Sequence, residues 1–416
     1  MTLKPTSLHW LRPGMRVKRY LLVAGLGLLL FVLGLGAALG GAPFFALARW
    51  LDAHGVAPRI LGVALAAGGF LLIVFGVRAM NRSVLSALTD PDRVPELVYK
   101  RRVLAAGPRI AVLGGGTGLG RLLTGLKKLT GRTAAVVAAT DDGGSTGRLR
   151  RDFPVPAVGD LVDCLAALSE AERLPELMRH RFTRGEGLKG HTFGNLFLVT
   201  LNEITGRFDE AIREANRILA LEGEVWPSTP APAVLVAEKA DGEVVRGESR
   251  IREHPGAVRR VWLEPEEVPV MPEVERAILE AELVVLGPGS LFSSVLAAAL
   301  PPRVRAALAR TPAPLVVVVN LMTEPGETDG FDAFRHVEAI HAHVGRWPDA
   351  AVVHTAPIPE AVKARYAGEG RFPVAFDPRP FEKRGIALIT GDFRAPGLLA
   401  QHDPDRLAEA LVGWRG

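Results

Sequence analysis

Short apolar runs that end in glycine, aspartate or asparagine recur along the chain beyond residue 108. These runs occupy residues 110–113, 133–139, 283–286 and 315–319. Segments with helical spacing of apolar positions separate them, and residues 119–126 give the clearest example. Strands that alternate with helices are typical of parallel sheets. The pattern therefore predicts an α/β fold with a doubly wound, Rossmann-like parallel sheet that binds ligands beyond its strand C-termini, at a topological switch point.

Helical insertions are predicted within this sheet. Apolar positions have helical spacing in residues 161–168, 174–182, 193–204, 208–221 and 273–281. Two more strand-like runs, residues 233–237 and 258–263, flank a turn at Gly242. The only cysteine, Cys164, excludes an intrachain disulfide and is predicted to pack in the core.

Two long uncharged runs precede this domain. Residues 20–47 contain no charged side chain, and neither do residues 60–77. Because about twenty apolar residues cross a hydrocarbon core, we predict a transmembrane hairpin within residues 1–80, with spans at about 20–45 and 60–80. A juxtamembrane linker would follow at residues 81–107, and a nucleotide-binding domain at residues 108–416.

The distribution of basic residues orients the hairpin. Five basic residues precede the first span, six follow the second within residues 78–102, and only Arg49 and Arg59 lie between the spans. By the positive-inside rule both termini and the large domain are cytoplasmic, which predicts a multi-pass protein of the inner membrane. This topology also explains much of the net charge of +5, so nucleic acid is not expected as a partner.

The first glycine-rich turn is the strongest candidate for a ligand site. Residues 114–120 read Gly-Gly-Gly-Thr-Gly-Leu-Gly between a strand and a helix. Neither the G-x-G-x-x-G pattern nor a phosphate-loop lysine is present, but backbone N–H groups at a helix start still favour an anion. The candidate binding residues here are Gly115, Gly116, Thr117 and Gly118.

The second turn adds acidic and polar side chains. Asp141 and Asp142 can hold a divalent cation, orient a hydroxyl group, or only cap the turn, and these alternatives remain open. Ser145 follows in the same turn. His191 and Asn195 stand at a predicted helix start, where a phosphate or sugar contact and simple packing are equally consistent with the pattern.

Two later strands end in similar turns. The candidates there are Gly287, Gly289, Ser290, Asn320 and Thr323. Glu324 and Glu327 are weaker candidates, because their loop needs polar residues in any case. No Ser-His-Asp arrangement is evident in the sequence, and Asp141 and Asp142 are the candidates for catalysis, with Asp142 the metal ligand if magnesium is bound.

Five motifs in order resemble the gluconeogenesis factor family, the YvcK-like branch of the CofD-like superfamily. They begin at Gly114, Asp141, Gly190, Gly287 and Asn320, and the resemblance spans about residues 109–416. The chain departs from the family pattern at Val162 and Gln401, where the family usually has arginine, and at Asp163, where it usually has asparagine. The resemblance implies a CofD-like nucleotide-binding domain, with Tyr366 near the nucleotide base.

The resemblance also implies a function. One branch binds UDP-N-acetylglucosamine-type nucleotide sugars and links central carbon metabolism to cell-wall synthesis and cell shape, which makes a regulatory binding protein the first hypothesis. The alternative is a 2-phospho-L-lactate transferase-like enzyme that uses Mg²⁺ and a deazaflavin acceptor, and NAD is a third candidate ligand. Candidate partners are membrane lipid at the hairpin, a second copy of the chain, cell-wall synthesis proteins and a kinase.

Overall fold

The computed structural model describes residues 17–39, 49, 58–85, 102–171 and 173–414 of the 416-residue chain. These residues fall into two compact units, divided between Lys100 and Arg101. Most of the linker predicted at residues 81–107 lies at this division, and residues 86–101 are outside the described residues. Residues 40–45 of the first predicted span are also outside them.

The first unit contains two long helices, α1 (Val17–Leu39) and α2 (Pro58–Leu85). Within them, residues 19–39 and 59–83 are long and apolar enough to cross a membrane, with mean hydropathies of 2.5 and 2.6. Glycines bring the two backbones together, because a Cβ added to Gly34 would lie 2.6 Å from the carbonyl oxygen of Gly62. Small residues allow this close helix packing, as in membrane hairpins.

The second unit is built on a seven-stranded sheet in which every neighbouring pair is parallel. A separate three-stranded sheet is antiparallel. The strands are β1 (Ile110–Gly114), β2 (Thr133–Val137), β3 (Glu224–Pro227), β4 (Val234–Lys239), β5 (Val244–Arg246), β6 (Val258–Glu264), β7 (Leu283–Leu286), β8 (Leu315–Val318), β9 (Ala350–His354) and β10 (Ala387–Gly391).

The large sheet has the order β10-β9-β8-β7-β1-β2-β3. The chain starts in the middle at β1, runs outward to β3, and returns to the other side of β1 as β7. The point where the order reverses therefore lies between β1 and β7. The central strands β1, β2, β7 and β8 are fully buried, which explains their continuous apolar sequence. The predicted doubly wound fold is confirmed.

Helices cover the sheet and join its strands. They are α3 (Gly116–Leu126), α4 (Gly144–Asp152), α5 (Gly159–Leu168), α6 (Leu174–Arg179), α7 (Phe193–Thr205), α8 (Phe208–Ile218), α9 (Glu248–Glu253), α10 (Pro272–Leu279), α11 (Ala297–Ala299), α12 (Pro302–Arg310), α13 (Ala333–Val344), α14 (Glu360–Ala367), α15 (Arg379–Arg384) and α16 (Pro404–Gly413). A π-helical segment, Leu291–Leu296, leads into α11. Cys164 is fully buried, as predicted.

The strands predicted on either side of Gly242 are present as β4 and β6, and they pair with each other. Gly242 forms the turn between β4 and the short strand β5, and β6 then pairs with β4 on its other side. All three strands are antiparallel and lie outside the large sheet. The prediction missed β5 because three residues are too few to show periodicity.

Candidate functional site

A cavity of about 470 Å³ lies beyond the C-terminal ends of β1 and β7, where the strand order reverses. This is the position that the parallel sheet predicts for a ligand. Most of its lining comes from turns that follow strands. The lining residues are Gly115, Gly116, Thr117, Gly118, Arg121, Asp141, Asp160, Glu248, Arg252, Pro288, Gly289, Ser290, Ser294, Asn320, Leu321, Met322, Glu324, Tyr366, Arg371, Ala400, Gln401 and His402.

The first glycine turn forms one wall of the cavity. Gly116 has a φ of +65° and begins α3, and the N-cap residue, Gly115, has no side chain. A Cβ on Gly118 would lie 2.9 Å from the carbonyl oxygen of Pro288, and one on Gly289 would lie 3.2 Å from that of Gly115. The turns after β1 and β7 thus touch through backbone atoms, and side chains would separate them. The backbone at the start of α3 is left facing the cavity.

The helix start after β7 is closed by a buried carboxylate. Glu327, which has no exposed surface, accepts bonds from the N–H groups of Phe292 and Ser293, both at 3.2 Å. Its other oxygen accepts a bond from the Ser293 hydroxyl at 2.7 Å. The positive end of this helix is therefore neutralised within the protein. At the start of α3 the Gly116 N–H is bonded to Asp160, and Thr117 and Gly118 beside it line the cavity.

Most of the candidate residues from the sequence lie at this cavity, and six do not line it. Those at the cavity are Gly115, Gly116, Thr117, Gly118, Asp141, Gly289, Ser290, Asn320 and Tyr366. The six others are Asp142, Ser145, His191, Asn195, Gly287 and Thr323. Gly287, at φ +90°, precedes Pro288 in the turn after β7.

Asp142 and Thr323 hold neighbouring segments in place. One carboxylate oxygen of Asp142 accepts bonds from the backbone N–H and the hydroxyl of Ser249, at 3.0 and 2.8 Å. It thereby fixes the first turn of α9, from which Glu248 and Arg252 reach the cavity. The Thr323 hydroxyl accepts a bond from the N–H of Phe372 at 3.0 Å. These contacts support the cavity wall from behind.

Ser145, His191 and Asn195 form one buried polar network beside the cavity. The Ser145 hydroxyl lies 3.0 Å from Nδ1 of His191 and accepts a bond from the Asn195 amide at 3.1 Å. Burial is the main cause that lowers the pKa of His191, so the ring is neutral at pH 7. The network joins the start of α4 to the start of α7.

Two acidic residues that the sequence analysis had not named, Asp160 and Glu248, also line the cavity, together with the weaker candidate Glu324. Burial, followed by repulsion from Asp141, raises the pKa of Asp160 to about 7. Burial and the charge of Glu327 raise the pKa of Glu324 to about 7, and burial raises that of Glu248 well above its usual value. Asp160 accepts a bond from the Gly116 backbone. The acids lie close enough to one another to compete for protons.

Three arginines complete the charge distribution of the cavity. Arg121, Arg252 and Arg371 line it, and Nε of Arg121 donates to the carbonyl of His402 at 3.1 Å. Arg252 pairs with Glu248 at 3.1 Å. The sequence offered little signal for these residues, because they lie on helices and loops far apart in the chain. The cavity therefore presents both cations for phosphate groups and carboxylates for hydroxyl groups or a metal ion.

The carboxylates fit a magnesium ion that is carried by a phosphate ligand. Mg²⁺ is usually held by one or two carboxylates, with phosphates and water completing its shell. One oxygen of Asp141 accepts a bond from Gly143 N–H at 3.0 Å, so the other is left for the cavity. In the described part of the chain, three metal-type ligand atoms converge only at Asp241, Glu243 and His254, outside the cavity. Asp141 and Asp160 are the residues that would hold the ion.

Tyr366 places its aromatic ring at the cavity while its hydroxyl group is fixed. The hydroxyl accepts a bond from the N–H of Ala400 at 3.1 Å, and the residue is buried. Arg371 lies 6.0 Å from the ring centroid. Leu321 and Met322 lie nearby in the same wall. This side of the cavity suits the flat face of an aromatic group such as a nucleobase.

Known proteins share this architecture. Residues 110–394 match the family model of 2-phospho-L-lactate transferase CofD. The gluconeogenesis factor of Bacillus subtilis is 41% identical over 308 residues, covering 73% of this chain and 97% of that protein. A Deinococcus radiodurans protein, provisionally named a gluconeogenesis factor, is 42% identical over 422 residues. The match covers 98% of this chain and 89% of that protein. The chain belongs to the gluconeogenesis factor family.

The crystal structure of a similar protein has about the length of the second unit. A crystal structure of a Bacillus halodurans protein superposes with a TM-score of 0.71 at 39% identity. The match covers 74% of this chain and 99% of that one. A protein the size of the second unit therefore folds as a separate molecule. Gln401, where the resemblance predicts an arginine, lies in the cavity wall.

A buried lysine, Lys239, connects two segments next to the cavity through hydrogen bonds. Lys239 is 1% exposed, and its ammonium group donates to the carbonyls of Ile251, His254 and Gly256 at 2.8, 2.9 and 3.2 Å, and to that of Gly326. Burial lowers its pKa. The ammonium group thus joins the end of α9 to the loop that carries Glu324 and Glu327. Both segments supply side chains to the cavity or to its support.

The raised pKa of Asp160 predicts a pH-dependent stability. A carboxyl group with a raised folded-state pKa binds a proton in the folded protein that the unfolded chain releases near pH 4. The contribution of Asp160 to the free energy of unfolding is then greatest below about pH 4, and it falls as the pH rises towards 7. Asp160→Asn is expected to raise the melting temperature at pH 8 more than at pH 4, relative to the wild type. A matched Glu267→Gln change on the surface, at an exposed residue, should show no such difference in a thermal scan series.

Proposed function

We propose that this protein is a regulatory member of its family that binds a nucleotide sugar of the UDP-N-acetylglucosamine type. By this binding it would link central carbon metabolism to cell-wall synthesis and cell shape. The observation that carries the proposal is the start of α3, where the backbone of Gly115, Gly116, Thr117 and Gly118 lines the cavity at the strand-order reversal. Such a start favours a phosphate group through its N–H groups and its dipole.

The remaining walls match the other parts of such a ligand. A volume of about 470 Å³ lies within the usual range for small-molecule sites. Arg121 and Arg371 would offset diphosphate charge, and the ring of Tyr366 would face the base. Asp141 and Asn320 would accept and donate hydrogen bonds to ribose or sugar hydroxyl groups.

We further propose that α1 and α2 anchor the protein in the inner membrane, with both termini in the cytoplasm. Their length, their hydropathy and the excess of basic residues on both outer flanks support this topology. An alkaline wash removes proteins that are held only by charge. We expect the full-length chain to stay in the membrane pellet, and its release into the supernatant would contradict the anchor.

The ligand class can be tested by competition. Residues 107–416 would be mixed with equal concentrations of UDP-N-acetylglucosamine, NAD and GDP, and the complexes would be examined by native mass spectrometry. We expect the mass of the UDP-sugar complex to dominate. A dominant NAD complex would show that a dinucleotide occupies the cavity instead, and a dominant GDP complex would favour a transferase.

A second candidate function is transfer chemistry of the 2-phospho-L-lactate transferase type. The observation in its favour is that Asp141 and Asp160 face the cavity next to the phosphate-binding start of α3. Magnesium held there would neutralise the charge that develops on the pyrophosphate oxygen. Asp160, with its raised pKa, can hold or release a proton near pH 7 and would accept the proton of an acceptor hydroxyl group.

A further inference from the structure

A cluster of exposed cations lies beside the second glycine turn, outside the cavity. Arg148 and Arg151 extend from α4, and Arg181, Arg184 and Lys189 extend from residues 180–191, between α6 and α7. We call these five side chains the basic surface. All five are exposed, and within the described residues none of them forms an ion pair with an acidic side chain.

The cations from the two segments meet at one place. Nη2 of Arg148 lies 3.4 Å from the carbonyl oxygen of Lys189, and Nη1 of Arg181 donates to that of Gly190 at 2.7 Å. Arg151 lies one turn from Arg148 on α4. The combined positive charge acts on the nearby His191, since Arg148 and Arg181 contribute, after burial, to its lowered pKa. The two segments therefore form one patch, in which the exposed Asp152 and Glu186 reduce the five positive charges to a net +3.

An apolar side chain stands within this patch. Leu188 is 43% exposed and lies in the same turn as Arg184 and Lys189. The aromatic ring of this segment, Phe182, packs edge to face on His180 with the ring centroids 5.3 Å apart. It is thus not free to stack on a nucleic-acid base, which single-stranded nucleic-acid binding requires. Cations around an exposed leucine suit a bilayer interface instead.

We propose that the basic surface docks on the anionic headgroups of a lipid bilayer, with Leu188 entering the interfacial region. The chain itself supplies the proximity, because only residues 86–101 separate α2 from the second unit. Fully extended, such a segment reaches roughly 50 Å. The positive charge of the patch complements the negative leaflet on the cytoplasmic side. The inference does not depend on which nucleotide fills the cavity.

Vesicle flotation of residues 107–416 tests this docking without the hairpin. The vesicles would contain phosphatidylcholine alone or with about 30% phosphatidylglycerol, at low and high salt. We expect binding only to the anionic vesicles and only at low salt, where charges are least screened. The triple variant Arg151→Gln, Arg184→Gln and Lys189→Gln should lose about a hundredfold in binding, at about fivefold per charge.

A matched variant controls for net charge. Arg305→Gln, Arg310→Gln and Lys383→Gln remove three exposed cations from α12 and α15 and should leave vesicle binding unchanged. Leu188→Ser should weaken the binding that persists as the salt concentration rises. Equal losses in both triple variants, or equal binding to neutral vesicles, would overturn the proposal. Binding of a labelled oligo-uridylate that the first triple variant abolishes, without vesicle binding, would also overturn it and indicate nucleic acid.

Discussion

Replacing Lys239 by methionine is expected to lower the free energy of unfolding by about 3–5 kcal/mol. The ammonium group lies within hydrogen-bond distance of four carbonyl oxygens, two of these contacts being buried, and methionine offers the oxygens no donor. Each carbonyl left without a partner costs about 1–3 kcal/mol, partly offset because a buried charge is removed. Urea unfolding of residues 107–416 would measure the change.

The control for this variant is Lys383→Met, which removes an exposed lysine from α15. It should change the free energy of unfolding by less than about 0.5 kcal/mol, as is usual for surface substitutions. Because Lys239 joins α9 to the loop of Glu324, we also expect Lys239→Met to weaken nucleotide binding under conditions in which it remains folded. A change in stability below about 1 kcal/mol would show that the four carbonyl bonds do not support this region.

Gly116→Val is expected to reduce affinity for UDP-N-acetylglucosamine by at least about a hundredfold. Gly116 has a φ of +65°, and valine would be strained there and would place its methyl groups in the path of the phosphate. A lost charge-assisted bond costs about 1.5–3 kcal/mol, and a blocked helix start loses more than one such bond. Isothermal titration calorimetry would measure the affinity.

Gly330→Val is the control that distinguishes backbone strain from blocking of the phosphate position. Gly330 has a nearly identical φ of +69°, and no atom lies within 4 Å of an added Cβ. It does not line the cavity, so its valine variant should share the backbone strain and keep full affinity. If both variants bound the nucleotide sugar as the wild type does, the first glycine turn would not hold the phosphate. If both lost binding equally, the loss would reflect instability alone.

Much of the sheet could be predicted because its central strands are buried on both faces. β1, β2, β7 and β8 appear in the sequence as unbroken apolar runs, which is the signal of a fully buried parallel strand. The edge strands gave a weaker signal. β3 begins with an exposed glutamate and β10 is only partly buried, so neither shows a continuous apolar run.

The candidate site was predictable where its residues are close in sequence to a strand end. The glycines after β1 and β7 and Asp141 were identified for this reason. Asp160, Glu248 and Arg252 come from helices that reach the cavity by tertiary packing, which no local pattern reveals. The role of Lys239 was equally hidden, because a lysine at the end of a short strand is normally exposed. Contacts between segments that are distant in sequence place these residues at or near the cavity.

The central claim is that the cavity binds a nucleotide sugar without consuming it. The most direct test is titration of UDP-N-acetylglucosamine into residues 107–416 by isothermal titration calorimetry, in the presence of Mg²⁺, followed by phosphorus NMR of the same sample. We predict a saturable one-site isotherm, a loss of about ten- to a hundredfold in affinity for Asp141→Asn, and an unchanged phosphorus spectrum. Absence of binding heat, or new phosphorus resonances that Asp141→Asn abolishes, would contradict this account.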